Sequence, residues 1–344
     1  MLNHRSRFRG LGTALAGALM FATVAHAQIV PARMFCPADG PIPVRIDEPR
    51  DGGVPRPPAE LPEPVPMEVE LIRASSGEVI DRRAVLPGEA DAAALFPRIW
   101  SDREHGALYL QLRAAGRRVG SPLVLTAMLA SPPYAPRTDR SGAPMFPPPD
   151  RRSPVYCGVR VEPLRHLVFE TTRGQMRFAL RPDAAPATVW FFSRLVEGGL
   201  YDGTPFHTVA SLRPGAEPDF VQGGDPTGTG KGGAGMMIDL EESPLPHTFG
   251  TLSMARAADP NSASSQFFIC TGGPAAATLN NRYAVFAQLV GGAETLRALA
   301  ASPVSPDNRT IDPPRIIAAS LVDAPPFGEG PPPARDPLGE RPSR

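Results

Sequence analysis

Apolar and polar positions alternate with a period of two along much of this chain, in runs short enough to be strands. MEVELIR from Met67 alternates apolar and charged residues, SSGE supplies a turn, and VIDRRAV returns. This pattern predicts a hairpin. A second hairpin is outlined by ALYLQLR, the turn AAGR and VGSPLVLTAML, while Asp91 to Trp100 has room for a short helix that Pro97 limits. From Leu167, LVFETTRG and MRFALRP read as two strands joined by a tight glycine-containing turn. The period then changes. Pro186 suits a first helical turn, Val189, Phe192 and Val196 recur at helical spacing, and Gly198-Gly199 stops the helix. Strand-like runs follow at TPFHTV, DFVQGGD, GTLSMAR, SQFFIC and YAVFAQLV, then a second helix at AETLRALA and a closing strand at RIIAASLV. The chain is therefore expected to be mainly β. A small β-rich N-terminal domain precedes a closed antiparallel barrel capped by two helices.

Composition refines the boundaries. The 344 residues include 44 prolines, well above the usual level of about 5%. They cluster between Cys36 and Pro66, between Pro132 and Pro163, and after Pro325. The expected order is a signal peptide at 1–27, a Pro-rich segment at 28–65, a β-rich domain of unassigned role at 66–130 and a Pro-rich linker at 131–160. The barrel domain at 161–325 and a disordered Pro-rich tail at 326–344 complete it. The signal reading rests on Arg5, Arg7 and Arg9, the apolar stretch LGTALAGALMFATV, and the small-x-small site Ala25-His26-Ala27. That apolar stretch is shorter than the roughly 20 residues of a spanning helix, so the expectation is a periplasmic or secreted protein without a membrane anchor after cleavage.

An exported chain sits where disulfides persist, and Cys36 and Cys157 flank the N-terminal domain as a candidate pair. Cys270, within SQFFIC, reads as a buried core thiol. Lys plus Arg number 35 against 35 Asp plus Glu, which gives no case for a nucleic-acid partner. Gly228 to Gly233 spells GxGxxG but lacks the βαβ context of a dinucleotide site, and Lys231 is followed by Gly232 where a phosphate loop needs Ser or Thr. Ser262, Ser264 and Ser265 have no His and carboxylate pattern beside them, and His105, His207 and His247 are isolated. The reading is no metal and no cofactor.

Two longer stretches carry chemistry: FVQGGDPTGTG from Phe220 and LSMARAADPNSASSQFFIC from Leu252. With YDGTPFH and LNNRYAVFAQL, in this order between about Val161 and Val322, they resemble the cyclophilin family of peptidyl-prolyl cis-trans isomerases. The resemblance implies an eight-stranded barrel with a peptide groove on its outer face, acting on X-Pro bonds of proline-containing peptide or protein clients. It implies Phe268 as the floor of a proline pocket with Phe220, Met254 and Leu279 as walls. Gln222 is implied as the residue orienting substrate, and Gln266 borders the groove. Ala255, Arg256 and Ala257 form the segment whose backbone grips the peptide, and Tyr283 falls where the family places histidine or tyrosine. One position departs from the family: Thr208 stands where the resemblance implies the catalytic arginine, and the insertion ASLRPGAE follows it. Losing one preorganised donor typically costs about 2.7–4 kcal/mol, which predicts reduced activity. Arg213, inside the insertion, is the candidate substitute. The alternative reading is a catalytically weak proline-binding or chaperone-like module.

Overall fold

The computed structural model describes residues 28–47, 65–101, 106–130, 137–138, 144–145, 155–273 and 275–338, so the expected signal segment, His105 and most of the 131–154 stretch lie outside the described residues. The N-terminal domain is a β-sandwich. One sheet runs in the order Phe35–Pro37, Val155–Pro163, Leu123–Ala130, Leu108–Ala114, Met67–Arg73, Val79–Val85, with Arg117–Arg118 also on the Leu108 strand. A second, three-stranded sheet contains Ile29–Pro31, Pro43–Ile46 and Gly88–Asp91. Val44 and Ile46 of the small sheet share a core with Val69, Leu71, Leu110 and Leu125 of the large one.

This corrects the expected boundaries in two places. The Pro-rich segment 28–65 contributes strands, because its prolines stand at strand ends and edges where a missing N–H costs no ladder bond. The strand Val155–Pro163, placed across the linker boundary, pairs along its length with Leu123–Ala130 and belongs to the N-terminal sheet. The expected helix near Asp91 is two four-residue turns, Ala92–Leu95 and Arg98–Ser101, interrupted at Pro97. Glu70, at the centre of MEVELIR, is fully buried and bonds Arg82, Arg113 and Arg118. Burial opposes its charge, but the hydrogen bonds from Arg118 and Arg82 hold its carboxyl below the ordinary value.

The candidate disulfide is not formed: Cys36 is a buried free thiol and Cys157 an exposed one. A β-bulge between Tyr156 and Gly158 is the reason. Cys36 pairs in register with Val159 and points into the core, while the extra residue turns Cys157 to the outer side, against the Met128 carbonyl.

The barrel strands are numbered β1 (Arg165–Thr171), β2 (Gly174–Leu180), β3 (Thr208–Ala210), β4 (Phe220–Gly223), β5 (Thr251–Met254), β6 (Phe267–Cys270), β7 (Val285–Gly291) and β8 (Ile316–Asp323). They form one antiparallel sheet in the order β3-β4-β6-β5-β7-β2-β1-β8. Its two edges meet through an antiparallel bridge of Pro205 with Arg315, and the Thr204 carbonyl and Gly203 N–H bond Ile316. Inside, Phe169, Phe178, Phe192, Phe267, Phe286 and Tyr201 make one aromatic core. Helix α1 (Pro186–Glu197) buries Val189, Phe192 and Val196, as its spacing predicts. Its N-cap residue, Ala185, has no capping side chain, so the Glu241 carboxylate accepts the Ala187 and Thr188 N–H groups instead. Helix α2 (Ala293–Ala300) buries Leu296 and Leu299.

The tail also departs from expectation over its described part. Phe327 packs on Tyr109 of the N-terminal sheet at 5.5 Å between ring centroids, lies under the Arg118 guanidinium, and donates its N–H to Gln111 Oε1. Farther on, the Ala334 N–H bonds the Leu289 carbonyl and Asp336 pairs with Arg297. A proline-rich segment has little side-chain flexibility to lose, and each end here has an aromatic or ionic anchor that a composition reading does not register.

Candidate active site

Strand parity sorts the barrel residues into an inner and an outer set. Val209, Val221, Leu252, Phe267 and Ile269 face the core. The intervening residues face out, and their register aligns them in a row across four strands: Thr208 opposite Gln222, Gln222 opposite Phe268, and Phe268 opposite Ser253. Around Phe268 a separate apolar cluster forms on the outside of the barrel, from Cys270, Ala276 and Leu279 with the partly exposed Phe220, Ala255 and Tyr283. Tyr283 meets the Phe268 ring edge-on at 5.4 Å and 90°, and Phe220 meets it at 5.6 Å. Phe220, Ala255 and Tyr283 form the part-exposed rim of this cluster.

Met254, expected as a wall, is not among them. It pairs with Phe267, shares that residue's parity and sits in the barrel core. His247 takes a place that its isolation in the sequence gave no sign of. Its ring stacks on Phe268 at 5.7 Å and 11°, with nitrogens facing Asn280 Oδ1 at 3.0 Å and Ser253 Oγ at 3.2 Å. Burial keeps its pKa below the ordinary imidazole value, against the smaller upward effect of the Asn280 bond. Cys270 is pushed up to about 12, chiefly by burial, so it is an inert part of the pocket base.

Polar groups border the cluster on the β4 side. Gln222 Nε2 donates to Gln266 Oε1 at 2.8 Å, and Gln266 Nε2 donates to the Gly232 carbonyl at 2.8 Å. The loop carrying Gly232 is wound around Asp225, whose carboxylate accepts the Thr227, Gly230 and Gly232 N–H groups and the Thr227 hydroxyl. Burial alone would raise the Asp225 pKa, but these bonds, that of Gly232 foremost, hold it at about 2. Gly224, which opens the loop, has φ +81° and a Cβ there would lie 2.6 Å from the Ser265 carbonyl, so the sharp turn requires glycine. The GxGxxG spelling thus belongs to a loop whose N–H groups are taken up by Asp225. The other polar edge is the 255–257 segment. The Ala255 N–H bonds the Gln266 carbonyl, and Arg256 folds back over the Tyr283 ring at 4.7 Å while donating to the Arg282, Ala257 and Ala258 carbonyls. Its side chain fixes this segment's shape.

Thr208 is half-buried in the same row, opposite Gln222. The insertion after it, expected to carry a substitute cation, is held by the buried Asp219, which accepts from the Leu212 N–H and Ser211 Oγ and, through its other oxygen, from Ala275. Arg213 lies exposed on this loop; its backbone N–H bonds Ser211 Oγ, and its side chain has no hydrogen bond or ion pair among the described residues. A cavity of about 400 Å³ lies elsewhere, in the seam between the N-terminal sheet and α1, lined in part by Arg160, Glu162, Val189 and Arg194. Arg160 and Arg194 are both paired with Glu162 there.

An antiparallel eight-stranded sheet with its edges bridged thus carries an aromatic cluster on its outer face and a glutamine pair beside that cluster. The comparison with known proteins gives the family. Residues 166–321 match the family described as cyclophilin type peptidyl-prolyl cis-trans isomerase/CLD. The chain is 37% identical over 164 residues to peptidyl-prolyl cis-trans isomerase-like 1 of Gibberella zeae, covering 46% of this chain and 95% of that protein. It is 38% identical over 162 residues to peptidyl-prolyl cis-trans isomerase ppi1 of Schizosaccharomyces pombe, covering 45% and 98%. Of the longer Arabidopsis thaliana isomerase CYP65, 38% identical over 161 residues, it spans 26%. Among solved structures, a cyclophilin type isomerase of Cryptosporidium parvum, crystallised in the presence of the dipeptide Ala-Pro, is 35% identical and covers 46% of this chain and 99% of its own, with a TM-score of 0.41. The chain belongs to the cyclophilin-type peptidyl-prolyl cis-trans isomerases.

Proposed function

We propose that this isomerase acts on X-Pro bonds of exported polypeptides, seating the prolyl ring on Phe268, at a rate reduced by the threonine at position 208. The observation that carries the reading is the apolar cluster of Phe268, Phe220, Leu279 and Tyr283 on the outer face of the barrel, bordered by the Gln222–Gln266 pair. An X-Pro amide rotates in tens to hundreds of seconds because nitrogen lone-pair resonance must be lost. No covalent step is needed. The pocket holds the ring, the 255–257 backbone grips the chain on the carbonyl side, and a donor near the polar row favours the twisted amide, whose nitrogen has regained its lone pair. The arginine-rich start, apolar stretch and Ala25-His26-Ala27 site support export, and with it periplasmic or secreted clients.

Thr208 favours a second reading, a proline-binding module with little catalysis, because threonine presents no guanidinium to the amide. Two experiments test the proposal. Refolding of a client protein limited by X-Pro isomerisation is expected to accelerate with added full chain, and the slow phase remaining unchanged would favour the binding module. N-terminal sequencing of the chain recovered from the periplasm of a Gram-negative host is expected to begin at Gln28; an uncleaved cytoplasmic product would remove the export claim.

A further inference from the structure

We infer that Arg309 supplies the guanidinium missing at position 208, from the strand segment on the other side of Thr208; this rests on the isomerase reading above. The polar row does not end at Thr208. An antiparallel bridge pairs Thr208 with Arg309, flanked by the Val209 N–H to the Asn308 carbonyl at 3.1 Å and the Thr310 N–H to the His207 carbonyl at 3.2 Å. Bridge partners share a face of the sheet, so Arg309 stands on the outer face as the next member of the sequence Phe268, Gln222, Thr208. Successive partners in such a row are about 4.5–5.5 Å apart, which places Arg309 one strand farther from the pocket than an arginine at 208 would be. The arginine side chain is long enough to span one strand spacing.

Its presentation is built, because a tight turn over Ser305–Arg309 fixes the backbone. Asn308 adopts φ +64°, a left-handed conformation that asparagine tolerates, and Ser305 bonds the Arg309 carbonyl with both its N–H and its hydroxyl. The half-buried guanidinium then lies across the Asp225-centred loop, donating to the Gly228 carbonyl at 2.8 Å and the Thr229 carbonyl at 2.7 Å. Only two of its N–H groups are used there, and the fork has five. Near Gly230 it approaches the buried His207 ring, since a Cβ at that glycine would meet Arg309 Nη1 at 3.1 Å and His207 Nε2 at 3.7 Å. The same loop carries the Gly232 carbonyl that orients Gln266, and Gln266 orients Gln222. Arg309 is therefore a cation on the face and in the row of the pocket, tied into the same hydrogen-bonded frame as the two glutamines. Arg213 differs in having no such anchorage.

The test compares wild type, Thr208→Arg, Arg309→Ala, Arg309→Lys and the double variant Thr208→Arg/Arg309→Ala. It follows cis-trans exchange and binding of N-acetyl-Ala-Ala-Pro-Ala-amide by NMR, with thermal melting as the check on folding. Arg309→Ala is expected to lower the catalysed rate roughly ten- to hundredfold at unchanged peptide affinity, the range below full loss of a preorganised donor. Arg309→Lys, which keeps the charge but not the fork, should fall between, and it stands in if the alanine variant does not fold. Adding Thr208→Arg to Arg309→Ala should restore the rate, because the new side chain enters the same row. A merely loop-holding role would not be rescued in this way, and failure of rescue overturns the inference. So does an Arg309→Ala rate equal to wild type, or a loss of the same size in Arg213→Ala. An inactive wild type with an active Thr208→Arg variant overturns the Arg309 role while leaving the groove reading intact. If both are inactive, the isomerase reading itself falls.

Discussion

Replacing Phe268 by alanine should damage stability and substrate affinity separately, and the structure sets the size of each effect. Phe268 is 4% exposed and packs against Phe220, Tyr283 and His247 rings. Burial of this kind costs about 3–5 kcal/mol on Phe→Ala substitution in a sealed core. This cluster lies outside the barrel with a partly exposed rim, so water can enter the gap and the lower end, about 3 kcal/mol, applies. For a domain of this size that is a fall in Tm of roughly 6–12 °C. The affinity term comes from the prolyl ring, whose three methylenes are worth about 0.8 kcal/mol each when fully buried. Phe268 covers one face, about half of this, so peptide affinity should weaken by about 1.2 kcal/mol, or roughly eightfold. NMR titration with an Ala-Pro peptide at a temperature where the variant remains folded measures this second term. A folded Phe268→Ala protein binding the peptide as tightly as wild type would refute the assignment of the pocket.

Other perturbations follow from the same geometry. Asp225→Asn removes a carboxylate that accepts three backbone N–H groups, so it should destabilise the loop by about 1–3 kcal/mol and raise amide exchange at Gly230 and Gly232. Because the folded Asp225 pKa is depressed to about 2, its stabilisation is full above the ordinary carboxylate pKa near 4 and is lost as pH falls toward 2; wild type but not Asp225→Asn should show this loss in acid melts. Phe327→Ala should lower the N-terminal domain's stability by about 1–2 kcal/mol through the lost Tyr109 and Arg118 contacts, read by a denaturant melt in which an unchanged midpoint would contradict the tail's role. Thiol labelling of the native protein should reach Cys157 and spare Cys36 and Cys270, and complete protection of Cys157 would contradict its outward placement.

The barrel was legible in the sequence because its local signals agree: short strand runs of three to eight residues, helices with apolar faces, and motif order. Where parity follows the motif, Phe268, Leu279 and Tyr283 come together on the outer face, with Gln222 in the register opposite Phe268. Met254 misled because a single residue's offset along a strand exchanges the outer for the inner face, and LSMA does not reveal which residue is the first to pair. Arg309 was hidden for a different reason. It stands about a hundred residues from Thr208 in the chain, in a turn with no motif, and only the bridge between the barrel's closing segments brings the two together. The same long-range pairing hid the Glu241 cap on α1 and the anchoring of the tail by Phe327. The bulge at Cys157 shows the converse, since one unpaired residue separates two cysteines that spacing alone makes plausible partners.

Catalysed rotation about an X-Pro bond at this outer face is read from the cis-trans exchange rate of an Ala-Pro peptide with full chain added. Two-dimensional NMR exchange spectra should show cis-trans interconversion rising in proportion to protein concentration, well above the uncatalysed time of tens to hundreds of seconds. A rate equal to buffer at saturating protein, with the peptide visibly bound, would contradict it.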